Sequence, residues 1–345
     1  MHMADALLSP ATGGVMWLAA GAAMAVACRH LRQRNDDALV PLMGMLGAFV
    51  FAAQMINFSI PATGSSGHLG GALLLAILVG PHAAFVVIAS VLTVQALFFA
   101  DGGLLALGAN MFNLGVLPCF LAYPLVYRPL AGQAPSRRRA AIATVVAAVV
   151  GLQLGAMGVV LQTTASGISS LPLGAFAALM LPIHLAIGLA EGLATAALVL
   201  FLQRARPELL TATAGSPGSQ RPLLLRRVAV AAVFTAGVLG WFASSQPDGL
   251  EWSAAHAADP AVPASPPQGA HATLAQLQLG TAVFGGTAGS APSLPAAGGA
   301  VATAAAANWP DVNAGTSLSG LVGGLITLVV VAAVGLGLRR RRSST

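Results

Sequence analysis

The chain has 345 residues, 57% of them hydrophobic and only 8% charged, with a formal net charge of +6 and a mean hydropathy of +0.82. A soluble domain carries about 25% charged residues, so a water-facing globular enzyme is excluded and a polytopic membrane protein remains. All sixteen basic residues are Arg, grouped in short clusters between apolar runs. That is the pattern of membrane-orientation signals and not of a nucleic-acid-binding surface.

The chain starts Met1-His2-Met3-Ala4-Asp5. A secretory signal needs a basic region ahead of its apolar core; this start has none, so Met1–Pro10 is expected to stay on the protein. A bulky His at position 2 hinders removal of the initiator Met. The Met1 amine, the His2 amide nitrogen and His2 Nδ1 can then chelate one metal through unstrained five- and six-membered rings. Three coplanar nitrogens suit Ni(II) or Cu(II), whereas Zn(II) prefers a tetrahedron.

Apolar runs predict spans at about 11–29, 38–57, 68–80, 81–99, 104–128, 137–162, 172–203, 223–243 and 318–338. The first carries small residues such as Ala19 and Ala23, suited either to docking a partner helix or to packing within the chain. Cys28 and Cys119 sit in or beside apolar runs and read as small buried hydrophobes. The loop Asn57–His68 holds Gly64, Ser65, Ser66 and Gly67 ahead of His68. His68 is either a fourth metal ligand, with Ser65 and Ser66 in supporting roles, or an interfacial residue in a helix-capping loop.

Residues 68–99 are one kinked helix or two short ones meeting at Gly80-Pro81. The positive-inside rule decides by parity. With two passages there and the N-terminus outside, every Arg falls on the cytoplasmic side, giving nine crossings with the C-terminus inside. Asp5, Asp101, Asp248, Glu251, Asp259 and Asp311 then lie outside. Met1–Pro10 and the His68 loop share that face.

Glu191 is the acidic residue left inside a span, seven residues after His184 and so on the same helix face. An intramembrane carboxylate is paired or functional. The two residues read as a packing pair or as supports to the metal site; the alternative is a proton relay in a secondary transporter. The remaining His residues, 30, 82, 256 and 271, carry no functional reading. The chain has no Lys, hence no phosphate loop, and no HExxH. It is therefore expected not to be an enzyme and to use no organic cofactor.

The organisation is an all-α body over 1–203, a cytoplasmic linker over 204–222, and a two-span appendage over 223–345. The external stretch 244–317 is rich in Ala, Gly, Pro and Ser, and is expected to be weakly folded.

The start Met1-His2 followed by Ala4-Asp5-Ala6-Leu7-Leu8-Ser9-Pro10 resembles the CbiM/NikM proteins, the substrate-binding components of cobalt and nickel energy-coupling-factor transporters. So do Met55–Phe58, Ser65–Gly71, Gln95–Gly103, Leu107–Asn113 and His184 to Glu191. Pro247-Asp248-Gly249-Leu250-Glu251 resembles the signature of that family's small two-span subunit, the CbiN/NikN type. The resemblance departs at Met3, where Ile is commoner, and in the long external loop. It implies a helical body with an extra N-terminal helix, and a site of the Met1 amine, His2 amide and imidazole, and His68. The implied substrate is Ni(II) or Co(II), and the planar nitrogen set ranks Ni(II) over Co(II). The implied partners are a transmembrane coupling subunit and cytoplasmic ATPases. The implied location is the cytoplasmic membrane of a bacterium or archaeon, within lipid and without nucleic acid.

Overall fold

The computed structural model of the chain describes residues 1–33, 39–133, 135–205, 221–258, 268–284 and 309–340. Arg34, Arg206, Asp259, most of the linker and much of the 244–317 stretch lie outside the described residues, as do Arg341 and Arg342. The fold is all-α, with helices α1 (Pro10–Gln33), α2 (Leu39–Gln54), α3 (Ala72–Val79), α4 (Pro81–Phe99) and α5 (Leu107–Ala131). These are followed by α6 (Arg137–Ser166), α7 (Leu173–Ala205), α8 (Arg221–Gly237), α9 (Gly249–Ala257), α10 (Ala270–Thr281) and α11 (Ala314–Arg340).

Six of these, α1, α4, α5, α6, α7 and α11, are long and apolar enough to cross a membrane. They make the chain a multi-pass membrane protein. Their outer faces carry Leu18, Leu125, Leu161 and Phe201, all exposed. Apolar faces without charge are stable only against lipid or another apolar surface. α4 is the central helix, buried along most of its length, and α1 is peripheral.

Residues 68–99 form two helices. Gly80, at φ 85° and ψ 160°, breaks them in a conformation that a side chain would strain, and Pro81 opens α4. The passage expected at 68–80 holds only a short helix. α3 has eight residues and spans about 12 Å at ~1.5 Å per residue, less than half of a hydrocarbon core of about 30 Å. The chain ahead of it, Ser65–Gly71, is almost entirely buried in protein, where irregular backbone at membrane depth is tolerated.

A two-stranded antiparallel hairpin, β1 (Phe58–Ile60) and β2 (Ser65–Gly67), joins α2 to this buried stretch. α6 and α7 form the most extensive helix pair. In the appendage, α8 and α11 both pack on α2, and α11 also reaches α4. The stretch expected to be weakly folded holds two ordered helices. α9 starts from a capping box in which Asp248 accepts from Leu250 and Glu251 N–H and Glu251 accepts from Asp248 N–H. α10 lies over the N-terminal segment. His271 Nε2 donates to Leu8 O, and Gln278 Nε2 donates to Ala96 O and Gly102 O.

The α6–α7 contact is close because α7 presents Gly188 and Gly192 to it. A Cβ on Gly192 would sit 2.8 Å from the Val145 Cα. Gly192→Ala is expected to push the helices apart and lower the thermal midpoint in detergent. Gly21→Ala, which faces open space on α1, is expected to leave it unchanged. A thermal-shift comparison of the two checks this.

Candidate metal centre

The N-terminal segment is threaded into the bundle. Met1, Met3, Leu7 and Leu8 are buried, so the polar backbone between them needs partners. Asn110 on α5 supplies them as a strand would. Its Oδ1 accepts from Met3 N–H at 2.8 Å and its Nδ2 donates to Met3 O at 3.2 Å. Gly103 N–H also donates to Met3 O, and Ala106 N–H donates to the Asp5 carboxylate. Asn113 and Gln162 exchange two amide hydrogen bonds beside Met3.

This anchoring delivers the Met1 amine to 2.9 Å from His68 Nε2. An ammonium can only donate, so Nε2 offers its lone pair. His68 Nδ1–H donates to Leu69 O, which fixes the tautomer. Burial, then the adjacent amine charge, pushes the His68 pKa down to about 3. The ring is therefore neutral, with its lone pair facing the amine. His2 stacks on His68 at a centroid distance of 4.9 Å.

His2 Nδ1 lies 2.7 Å from Asp101 Oδ1, and His2 Nε2 is buried with no partner. One in-plane position on Nδ1 cannot serve Asp101 and a metal together, so an Nδ1 chelate forms only with Asp101 released. Among the described residues, no three His, Cys, Asp or Glu side chains form a metal cluster. A chelate built half from amine and amide nitrogens would not produce one.

The appendage enters the same site. Asp248 Oδ2 is 3.0 Å from the Met1 amine. Burial raises the Asp248 pKa, but the amine charge, the Glu251 N–H and His68 together outweigh it and hold the carboxyl below its usual range. Ser66 N–H donates to Pro247 O, and Ser66 Oγ donates to Gln246 O.

The expected supporting residues thus sort by partner. Ser66 holds the appendage, and Ser65 Oγ pairs with Thr63 Oγ1; neither touches an imidazole. Glu191 and His184 do not pair. Glu191 accepts from Gly70 N–H and Gly71 N–H, both at 3.0 Å, just past His68. Gln54 donates to Gly70 O on the other side and is itself bonded by Gln95. Gly71 needs φ 76° for this turn. His184 Nδ1–H donates to Met180 O, leaving Nε2 buried and unpartnered near Gly249 of α9.

Asp101, Asp248 and Asn110 are the functional candidates that sequence reasoning gave no role. Each lies in a quoted motif, yet none has a spacing that points to a position two helices away. Elsewhere, His30 and His82 stack with ring centroids 3.9 Å apart, and His256 stacks on Trp252.

Two family profiles match the chain. The cobalt uptake substrate-specific transmembrane region, CbiM, matches residues 2–209, and the PDGLE domain matches residues 223–340. The fused nickel transport protein NikMN of Rhodobacter capsulatus is 34% identical over 240 residues, covering 65% of this chain and 68% of that protein. The cobalt transport protein CbiM of Geobacter sulfurreducens is 34% identical over 235 residues, covering 64% and 65%. A crystal structure of a transition metal transporter superposes with a TM-score of 0.52 at 32% identity, covering 62% of this chain and 97% of that one.

Glu191 fixes the turn behind His68 with two acceptor oxygens. Glu191→Gln keeps one acceptor and turns an N–H donor toward a buried N–H. The expected cost is about 1–3 kcal/mol, read as a lower thermal midpoint. Faster hydrogen exchange at Gly70 and Gly71 would locate the effect.

Proposed function

We propose, from the premise that the chain belongs to the CbiM family of cobalt-uptake substrate-specific transmembrane proteins, that it captures Ni(II) in preference to Co(II) for an ATP-driven energy-coupling-factor importer. Membership of the family makes the chain a membrane component of cobalt and nickel transport, and not a member of an enzyme family. The PDGLE match makes it a fusion of that component with a second, smaller one.

The observation that carries the reading is the buried Met1 amine, 2.9 Å from the lone pair of a neutral His68 and beside the His2 ring. On metal binding, with His2 Nδ1 released from Asp101, the amine, the His2 amide and His2 Nδ1 would take three corners of a plane and His68 Nε2 the fourth. Four neutral or amide nitrogens in a plane favour Ni(II). The ATPase and the coupling subunit are separate chains in this proposal. The N-terminus faces outward and the C-terminus inward. Groups placed outside by the Arg parity, namely Met1, His68, Asp101 and Asp248, meet in one cluster, which supports that orientation. The alternative, a proton relay in a secondary transporter, has less support, because His184 and Glu191 bond to different backbone groups.

Titration calorimetry on purified protein that begins at Met1 tests the chelate. One residue added before Met1, or His2→Ala, is expected to weaken Ni(II) binding by more than about 100-fold, since each removes part of the chelate. Unchanged affinity in the extended protein overturns it.

Binding should also release protons from the amine and the amide, so affinity rises with pH. His68 already turns an unprotonated Nε2 to the amine and has no proton there to release. His68→Ala is therefore expected to lower affinity without changing its slope between pH 6 and 8.

A further inference from the structure

The fold buries more of the first residue than its amine. We propose that the Met1 side chain is a positioning anchor: an apolar socket between α5 and α6 seats the thioether, and that seat holds the amine against His68. The site is then specific for an N-terminus that begins with Met, beyond its need for an amine next to His2. The inference rests on the chelate reading above.

Met1 is 7% exposed and belongs to the apolar core. Its side chain reaches α6, where a Cβ on Gly155 would lie 2.9 Å from Met1 Cε. The cavity beside it is walled by Leu73 of α3, Leu114 and Pro118 of α5, and Ala147, Ala148 and Gly151 of α6. Positions 147, 151 and 155 are four apart, so α6 turns a face of minimal side chains toward Met1. The room left over is about 10 Å³, at the lower limit for a single water. The thioether therefore nearly fills its seat.

The polar side chains at the border are engaged elsewhere. Asn113 exchanges amide bonds with Gln162, and Glu191 accepts from Gly70 and Gly71 N–H. What remains for Met1 is apolar surface of irregular shape, which a flexible, polarizable thioether fills well. From Phe112 to Tyr127, α5 is wound as a π-helix that contains Pro118 and Pro124. Such winding is rare and recurs at functional sites.

Amine and side chain leave the same Cα. Cε is seated at α6, and Met3 is held on both backbone groups by Asn110. The first residue of a chain is otherwise among its freest; here it is tied on both sides, with its amine 2.9 Å from His68 Nε2. The Asp248 ion pair holds the amine only while it is an ammonium. The seat of the side chain does not depend on charge, so it persists when the amine becomes a ligand. An N-terminus with a small first residue would carry the same four nitrogens and leave the socket empty.

Inserting Ala between Met1 and His2 in the full chain provides the test, because an initiator Met is cleaved ahead of a small residue. The product amounts to Met1→Ala, with the amine, the amide and both imidazoles kept, and mass spectrometry verifies its first residue. Calorimetric titration with Ni(II) is expected to show affinity reduced roughly 10–100-fold, from the apolar burial lost. Met1→Val, made in the same way, refills part of the socket and is expected to recover part of the loss. His68→Ala separates positioning from stability. It should cost affinity when Met1 is present and much less in Met1→Ala, where the amine is no longer held at the imidazole. A side chain that only filled the core would lower the thermal midpoint and leave Ni(II) affinity, and the cost of His68→Ala, unchanged; that result overturns the proposal. The protein with one residue added ahead of a retained Met1 distinguishes the two readings. If it binds Ni(II) as tightly as the unextended chain, the chelate itself fails. If it does not, while Met1→Ala binds at full affinity, only the anchor fails.

Discussion

A charged amine buried in a helical bundle must be compensated, and one end of this protein is organised around that requirement. The Met1 ammonium finds a carboxylate in Asp248 and a lone pair in His68. Neither group is near it in sequence. Burying the amine requires the first eight residues to enter the bundle, which in turn requires partners for their backbone. Asn110, Gly103 and Ala106 provide them. Supplying the carboxylate requires the appendage to lie across the His68 hairpin. The pairing of residues 246 and 247 with Ser66 follows from that.

The His68 loop is held from below as well as from above. Glu191 grips two consecutive N–H groups, and Gln54 donates to the carbonyl between them. An intramembrane carboxylate is costly unless satisfied, and these two bonds satisfy both of its oxygens. The ring facing the amine is thereby kept at a set distance from a rigid helix, which is what a preorganised ligand requires. Asp101 holds the His2 ring by Nδ1, the atom the chelate needs, so it is the ring's partner only while no metal is bound there.

The appendage joins the body through its helices and its external segment alike. α8 and α11 pack on α2, while α9 and α10 lie over the hairpin and the N-terminal segment. A close approach at Gly249 and a capping box at Asp248 fix the angle at which α9 arrives. The appendage therefore forms part of the wall around the buried amine, and its Asp248 comes as close to that amine as the body's own imidazole.

Much of this was legible in the sequence, because bulk properties follow from composition. Scarce charge gave the membrane class, and apolar runs located α1, α4, α5, α6, α7 and α11. Met1, His2 and His68 could be singled out because chelate ring size and a position next to glycines are local facts. The eight-residue α3 was not legible, since an apolar run does not reveal that its first part is buried loop. The order within 244–317 was hidden by composition, because α9 is stabilised by what it packs against. The roles of Asp101, Asp248 and Asn110, and Glu191's two backbone partners, were decided only by tertiary structure. They depend on which segments a fold brings within 3 Å of one another, and hydrogen bonds and coordination distances are set there and not by spacing along the chain.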